Sequence, residues 1–381
     1  MTMPLDGVVV ADFSRVLAGP LASTMLADLG ATVVKVERRG IGDDTRTWGP
    51  PWTATTSSYF ECANRSKQSI ELDLDDPEDL SVARALAARA DVILENFKEG
   101  TLARRSLDHE SVARTNPGVV YCSVTGFGSR RGASLAGYDF LVQAMAGLMS
   151  ITGSPDDEPM KVGVALVDVL TAKDAVIGIL AALRKRDQSG LGQRVEVNLL
   201  STLLGSMANQ ASAFLATGRA PARMGNQHPS IAPYETLRCT DERLAVCCGN
   251  DDQFRRLTEV LGTPTLADDE RFRTNPARVA HRADLVAALE AQLALDTAAA
   301  WATRLADAGV PAGRVGDISD GIALAESLDL EPTVSVGDAH PRQIRHPITY
   351  SRTPVRTYSP PPQLGEHSDD IRRWLAQETH A

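Results

Sequence analysis

The chain has 381 residues, 43% of them hydrophobic and 23% charged, with a formal net charge of −10. That length suits two domains, or one large and one small, and the composition is that of a globular protein. The acidic balance argues against nucleic acid as the main partner, because phosphate backbones need a basic face, and admits an anionic ligand where basic residues gather locally.

The first half alternates strand-like and helix-like runs. Val8–Ala11 predicts a buried strand, and Pro20 opens a helix that runs through Leu29 and stops at Gly30. Thr32–Val36 is the next strand. Ser69–Leu74 follows, then a helix capped by Asp75–Asp76–Pro77 and running to Ala90, then strands at Val92–Glu95 and Val119–Val124. Such alternation predicts βαβ units and a parallel sheet. Asp168–Arg186 reads as a largely buried helix and Arg194–Leu199 as a further strand. Beyond Met224 the texture changes. A strand at Leu244–Cys248 and helices at Asp252–Leu261, Arg282–Leu293 and Thr297–Ala308 predict a smaller α+β domain. Pro360–Pro361–Pro362 precedes a last short helix near Ser368–Leu375.

Several chemistries can be set aside. Glu37, closing a strand in a βαβ start, invites a dinucleotide site, but the first turn, Asp12 to Pro20, has no G-x-G-x-x-G, and no phosphate loop occurs elsewhere. Gly126–Phe127–Gly128 lacks the third glycine. Neither H-E-x-x-H nor G-x-S-x-G is present. The five cysteines show no C-x-x-C spacing, and their odd number argues against a disulfide framework. No secretory signal and no run of roughly 20 apolar residues is visible. The expectation is a cytoplasmic protein with no metal and neither nucleic acid nor membrane as partner.

One constellation remains. Gly163–Val164–Ala165–Leu166–Val167 is an apolar run that delivers Asp168 to the start of an apolar helix. The plain reading is a helix cap. The functional one is a nucleophilic carboxylate, kept ionised by the helix N-terminus. Basic residues follow the strands: Arg38 and Arg39 after one, Asn96–Phe97–Lys98 after another, with Arg104–Arg105 a little later. In open α/β sheets ligands bind beyond the carboxyl ends of strands, so Arg38 and Arg104 could hold phosphate and Phe97 could pack on a flat ring. Solvated surface charge is the ordinary alternative.

Ordered matches along nearly the whole chain resemble the class III CoA-transferase family (CaiB/BaiF, formyl-CoA transferase-like). They include Arg15–Val16–Leu17–Ala18–Gly19–Pro20, Leu26–Ala27–Asp28–Leu29–Gly30–Ala31, Val34–Lys35–Val36–Glu37–Arg38 and Gly42–Asp43–Asp44–Thr45–Arg46. Asn64–Arg65–Ser66–Lys67, Glu95–Asn96–Phe97, Gly126–Phe127–Gly128, Gly137–Tyr138–Asp139–Phe140, Val162–Gly163–Val164 and Gly365–Glu366–His367 continue the series. The resemblance implies an α/β fold: a large Rossmann-like domain with a parallel sheet from residues 1–200 and 321–381, a small α+β domain from 225–320, and an interlocked homodimer. It further implies that Asp168 exchanges CoA between carboxylic acids through a mixed anhydride and an aspartyl-CoA thioester. Coenzyme A would enter as substrate, with no permanently bound cofactor, and touch Val16, Arg38, Leu72, Asn96, Phe97 and Arg104. The same fold hosts α-methylacyl-CoA racemases, but the racemase-like pattern has His where this chain has Tyr138, whose ordinary pKa near 10 suits a base poorly. A CoA-binding protein with a dead site is the other alternative, opposed by the presence of Asp168. Gly225–Asn226–Gln227–His228–Pro229 replaces the family's Gly-rich loop, which speaks for larger acids, dicarboxylates such as succinate among them. Tyr138, Asn226 and His228 are the expected substrate-lining residues.

Overall fold

Neighbouring residues on the early strands bury apolar side chains to opposite sides, as a sheet covered on both faces requires. In the computed structural model, which describes residues 2–377, β1 (Val9–Asp12), α1 (Ala18–Asp28), β2 (Thr32–Arg38) and β3 (Lys67–Leu72) come first. They are followed by α2 (Pro77–Arg89), β4 (Val92–Glu95), β5 (Val120–Thr125), α3 (Asp139–Met145), α4 (Leu166–Ser189) and β6 (Gln193–Asn198). The six strands form one sheet in the order β3-β2-β1-β4-β5-β6, and every pairing is parallel. Val10, Val33, Leu94 and Cys122 pack beneath α1 and α4. Ala11, Val34, Ile93 and Tyr121 face the other way, against α2 and the last helix, Ser368–Ala376. The fold is α/β with a doubly wound parallel sheet, and its strand order reverses between β1 and β4. Ligand crevices form at such switch points, outside the carboxyl ends of the strands.

The chain divides into two units. The first comprises residues 1–148, 161–219 and 329–381; the second comprises 149–160 and 220–328. The second unit has its own antiparallel sheet of β7 (Tyr234–Arg238), β8 (Arg243–Cys247) and β9 (Ala312–Arg314). Helices Asp251–Val260, Arg282–Leu293 and Ala298–Asp307 supply Phe254, Leu257, Leu285, Leu289, Trp301 and Leu305 to its core. Membership of 149–160 in this unit was not legible from its sequence. It follows from hydrogen bonds over distance, such as Gly225 N–H to Gly153 O at 3.0 Å and Arg223 Nε to Ser154 O at 3.1 Å. Among the described residues no single helix is long and apolar enough to cross a membrane, and no group of three or more His, Cys, Asp or Glu side chains is arranged to hold a metal ion.

Two local expectations need correction. The helix expected to begin at Asp168 begins at Leu166 with Ala165 as its N-cap, and Ala165 has no side chain to cap with. Asp168 is therefore the third helical residue and not the cap. The second strand, expected to end at Val36, is also longer than expected and takes in Glu37. Strand β2 continues past it to Arg38, and Glu37 is buried, accepting hydrogen bonds from Arg46 (2.6 and 2.8 Å) and Ser69 (2.7 Å).

Candidate active site

At the switch point, the loop after β1 is clamped from two sides. Asn96, just past β4, accepts the Arg15 N–H at 3.0 Å and donates to the Arg15 carbonyl at 2.7 Å. Phe97 packs under the Arg15 guanidinium, 5.2 Å from ring centre to Cζ. On the other side the Asp43 carboxylate accepts the Val16 N–H at 3.3–3.4 Å. Val16 needs this restraint because its φ is +73°, a conformation that a β-branched residue adopts at a cost of about 1–3 kcal/mol.

The loop rests on a buried ionic network. Asp12 accepts from Lys67 Nζ at 3.2 Å, from Ser23 Oγ at 2.5 Å and from both groups of Ser14; Lys35 Nζ donates to Asp43 at 2.8 Å and to the Ser14 carbonyl at 3.2 Å. Burial works against each charge, yet the pairings prevail. Lys35 holds Asp43 at about 2, and Lys67 and Lys35 hold Asp12 below its usual range. Lys67 is the exception: burial brings its ammonium down to about 8 in spite of Asp12. Gly19 must be glycine, since a Cβ there would lie 2.3 Å from Ser14.

Asp168 is reached through a second set of contacts. Gly126, after β5, and Gly137 approach so closely that a Cβ on either would fall within 2.3–2.6 Å of the other's Cα, and this contact brings Tyr138 and Asp139 to the end of the sheet. Asp139 Oδ1 accepts the Val167 N–H at 2.7 Å and the Asp168 N–H at 3.2 Å. Asp139, from elsewhere in the chain, thus caps α4 in place of a local residue. Gln143 donates to the other Asp139 oxygen at 2.6 Å and accepts the Val162 N–H at 2.9 Å.

Asp168 borders a cavity of about 390 Å³ walled by Trp48, Tyr59, Phe140, Val164 and Ala165, with Val16, Tyr138, Asp139, Lys161 and Gly163 completing the lining. Trp48 stands edge-on to Tyr59, their ring centres 5.3 Å apart. Burial, and then the nearby Asp139 charge, push the Asp168 carboxyl up to about 7. The expectation that the helix N-terminus keeps Asp168 ionised at neutral pH is thereby corrected: burial and the charge of Asp139, which holds the first helix amides, work against the anion. Burial and the same two carboxylates push the Tyr59 phenol up to about 12.

The structure brings Val16, Tyr138 and Asp168 to one cavity, with Asn96 and Phe97 holding the loop that carries Val16. The other expected residues have different surroundings. Arg38 is hydrogen-bonded to Asp44 and to the Gly42 carbonyl. Leu72 is 2% exposed and packed in the sheet core, so its side chain is not available and only its main chain could meet a ligand. Arg104 lies exposed on the turn Ala103–Arg105, and no ion pair to it is recorded among the described residues. Asn226 and His228 belong to the second unit, where Asn226 donates to Thr236 Oγ1 at 3.1 Å and His228 accepts the Ser230 N–H at 3.1 Å and packs on Tyr234. Sequence reasoning missed Trp48, Tyr59, Asp139 and Lys161. Asp139 stood inside the motif Gly137–Tyr138–Asp139–Phe140, but a partner 29 positions away leaves no local signal.

Asp139 is open to a direct test. Asp139→Asn keeps an oxygen for the helix amides but removes the charge beside Asp168. The Asp168 carboxyl should then titrate at lower pH, and the acid limb of the pH–rate profile should move down with it. Asp139→Ala should in addition lose about 1 kcal/mol of stability with the cap, measurable by urea denaturation. An acid limb unmoved in Asp139→Asn would contradict the coupling.

A mainly apolar cavity with a few ionisable groups at the switch point of a doubly wound sheet defines an α/β enzyme that acts on a small organic substrate. Comparison with known proteins makes the class specific. The model for CoA-transferase family III matches residues 5–368, and the chain belongs to that family. It is 43% identical over 379 residues to the succinate–glutarate CoA-transferase of Agrobacterium fabrum, covering 97% of this chain and 94% of that one. It is 38% identical to the succinyl-CoA:glutarate CoA-transferase of Mus musculus, over 97% and 85% of the two chains. The crystal structure of a CAIB/BAIF family protein from Brucella suis superposes with a TM-score of 0.89 at 43% identity, covering 98% of this chain and all of that one.

Proposed function

We propose that this enzyme transfers coenzyme A from an acyl-CoA to a free carboxylic acid through covalent intermediates on Asp168. The observation that carries this reading is Asp168 itself: a carboxylate bordering the cavity, with no cationic partner recorded among the described residues, and raised to about 7. Near neutral pH such a group retains a substantial ionised fraction and is more basic, hence more nucleophilic, than an ordinary aspartate.

In the first step an Asp168 oxygen attacks the thioester carbonyl carbon. The C–S bond breaks, and the electron pair leaves with the CoA thiolate, giving a mixed anhydride. The thiolate then attacks the Asp168 acyl carbon, releasing the donor acid as its carboxylate and leaving an aspartyl-CoA thioester. The acceptor carboxylate attacks that carbon and expels the thiolate, which finally attacks the acceptor's acyl carbon and returns Asp168 to its ionised form. No proton need be gained or lost in the cycle. Catalysis therefore rests on positioning and on excluding water from the anhydride and thioester, roles suited to the clamped Val16 loop and the aromatic wall of Trp48, Tyr59 and Phe140.

On this reading coenzyme A passes Val16, Asn96 and Phe97 at the switch point and meets the main chain at Leu72. Arg104, exposed and without a recorded acidic partner, is better disposed toward phosphate than Arg38, which is engaged with Asp44. The names of the relatives support dicarboxylic acids as substrates. A homodimer finds support in the exposed Ile177, Leu204, Phe214 and Leu215 of the first unit. The racemase alternative is disfavoured because no histidine among the described residues lines the cavity and Tyr138 stands in the place expected of one.

Incubation with succinyl-CoA and a panel of acids, followed by mass spectrometry of the CoA esters, should show exchange. Deuterium uptake next to the thioester of a branched acyl-CoA, without exchange to any acid, would overturn the reading. The single-turnover rate of acyl transfer to the enzyme should rise with pH through an apparent pKa near 7, since only ionised Asp168 attacks. A profile flat between pH 5 and 8 would contradict that assignment.

A further inference from the structure

Of the three carboxyl or amino side chains in the cavity lining two are acidic, Asp168 and Asp139; the third is Lys161. A dicarboxylate entering such a cavity meets repulsion unless a cation offsets it. The other cations near the Val16 loop are already engaged: Lys35 with Asp43, Lys67 with Asp12, Arg46 with Glu37, and Arg15 and Arg38 with Asp44. Lys161 is not. The hydrogen bond recorded for its Nζ goes to the adjacent Val162 carbonyl at 3.3 Å, and no ion pair to it is recorded among the described residues.

Its backbone is nonetheless held in fixed relation to Asp168. The next residue, Val162, gives its N–H to Gln143, Gln143 gives its amide to Asp139, and Asp139 takes the N–H groups of Val167 and Asp168. A continuous chain of hydrogen bonds, through a Gln143 side chain that is fully buried, therefore links the segment bearing the free ammonium to the turn bearing the reacting carboxylate. An ammonium is a compact charge on a flexible stem, able to meet a carboxylate at varying reach.

We propose that Lys161 is the specificity-determining residue for dicarboxylic acids, taking the far carboxylate of the acid while its near end reacts at Asp168. The inference rests on the reading of Asp168 as the acyl-carrying residue and names the substrate class of the same site. It explains how a cavity with two acidic groups could accept a doubly charged acid: the far carboxylate is met by an exposed ammonium in the lining.

The test compares glutarate with valerate, acids of equal chain length that differ in the far carboxylate. In Lys161→Met the ratio of kcat/KM for glutarate over valerate should fall about 5-fold, and further in Lys161→Glu, the upper end for an exposed charge contact that is removed or reversed. The loss should reside in KM for glutarate, and Lys161→Arg should recover most of the ratio. A merely structural role would lower both acids together and would not be rescued by arginine; that result, or a ratio within twofold of wild type in Lys161→Met and Lys161→Glu, overturns the proposal. Calorimetric titration of the same proteins with each acid reads the preference without turnover. If the wild-type enzyme transfers CoA to no acid of the panel, the transferase reading fails, and the binding preference for glutarate and its loss in Lys161→Met still decide the role of Lys161.

Discussion

Replacement of Asp168 by Asn is expected to abolish CoA exchange, with a loss of about 10⁴-fold or more, while CoA binding persists. The magnitude follows from the role, since a nucleophile that carries covalent intermediates cannot be bypassed by the rest of the site. Asn is close in size and retains an oxygen, so the cavity and the cap from Asp139 should survive. Succinyl-CoA with unlabelled enzyme and labelled acid, followed by mass spectrometry, reads the activity; calorimetric titration with CoA reads the binding. Undiminished exchange would refute the assignment.

The same variant carries a stability signature with a definite sign. The Asp168 carboxyl titrates at about 7 in the folded protein and near 3.9 in an unfolded chain. The folded state therefore disfavours the charged form. Wild type and Asp168→Asn should be similar below pH 4, where the carboxyl is neutral in both states. As pH rises toward 7 the wild type loses stability relative to the variant, and above 7 the difference is complete. Thermal melting at pH 4 and pH 8 checks this, and a wild type that gains on the variant toward pH 8 would show that the carboxylate has a favourable partner.

The second large effect lies beneath the active-site loop. Asp12→Asn should destabilise the fold by about 3–5 kcal/mol, the cost of leaving a buried charge without its counter-ion. Lys67 and Lys35 are both fully buried, and Asp12 is the only carboxylate hydrogen-bonded to Lys67 among the described residues. Burial has already brought Lys67 down to about 8 against the pull of Asp12, so without that pull its ammonium is harder still to keep. Urea denaturation measures the loss. Lys67→Met in the Asp12→Asn background should recover part of it, because coupled residues do not act additively. A single variant within about 1 kcal/mol of wild type would mean that water reaches this network.

Much of the fold was legible because it depends on local pattern. Runs such as Val33–Val34 and Val92–Ile93–Leu94 can only be buried on both faces, and Asp76–Pro77 marks a helix start without any tertiary partner. Strands β1 to β6 and helices α1 and α2 accordingly lie within two residues of their expected bounds, whereas α4 runs three residues past its expected end and α3 was not expected. The reading of Asp168 as a helix cap failed for a reason of the opposite kind, since the cap is supplied by Asp139 from another helix. The fate of Glu37 was hidden likewise, because its partners Arg46 and Ser69 are brought in by the loop after β2 and by the neighbouring strand.

Asp168 thus has a double origin. The sequence alone determined that an apolar run ends in a carboxylate at the head of an apolar helix, and its ordered motifs determined the family, because periodicity, turn chemistry and motif spacing are properties of the chain itself. Only the tertiary structure decided what that carboxylate experiences. Burial and a second carboxylate raise its pKa, Trp48 and Tyr59 wall its cavity, and Lys161, with no ion pair recorded among the described residues, lines the same cavity. Electrostatic environment depends on distances between residues far apart in the chain, and those distances exist only once the sheet and its loops are assembled.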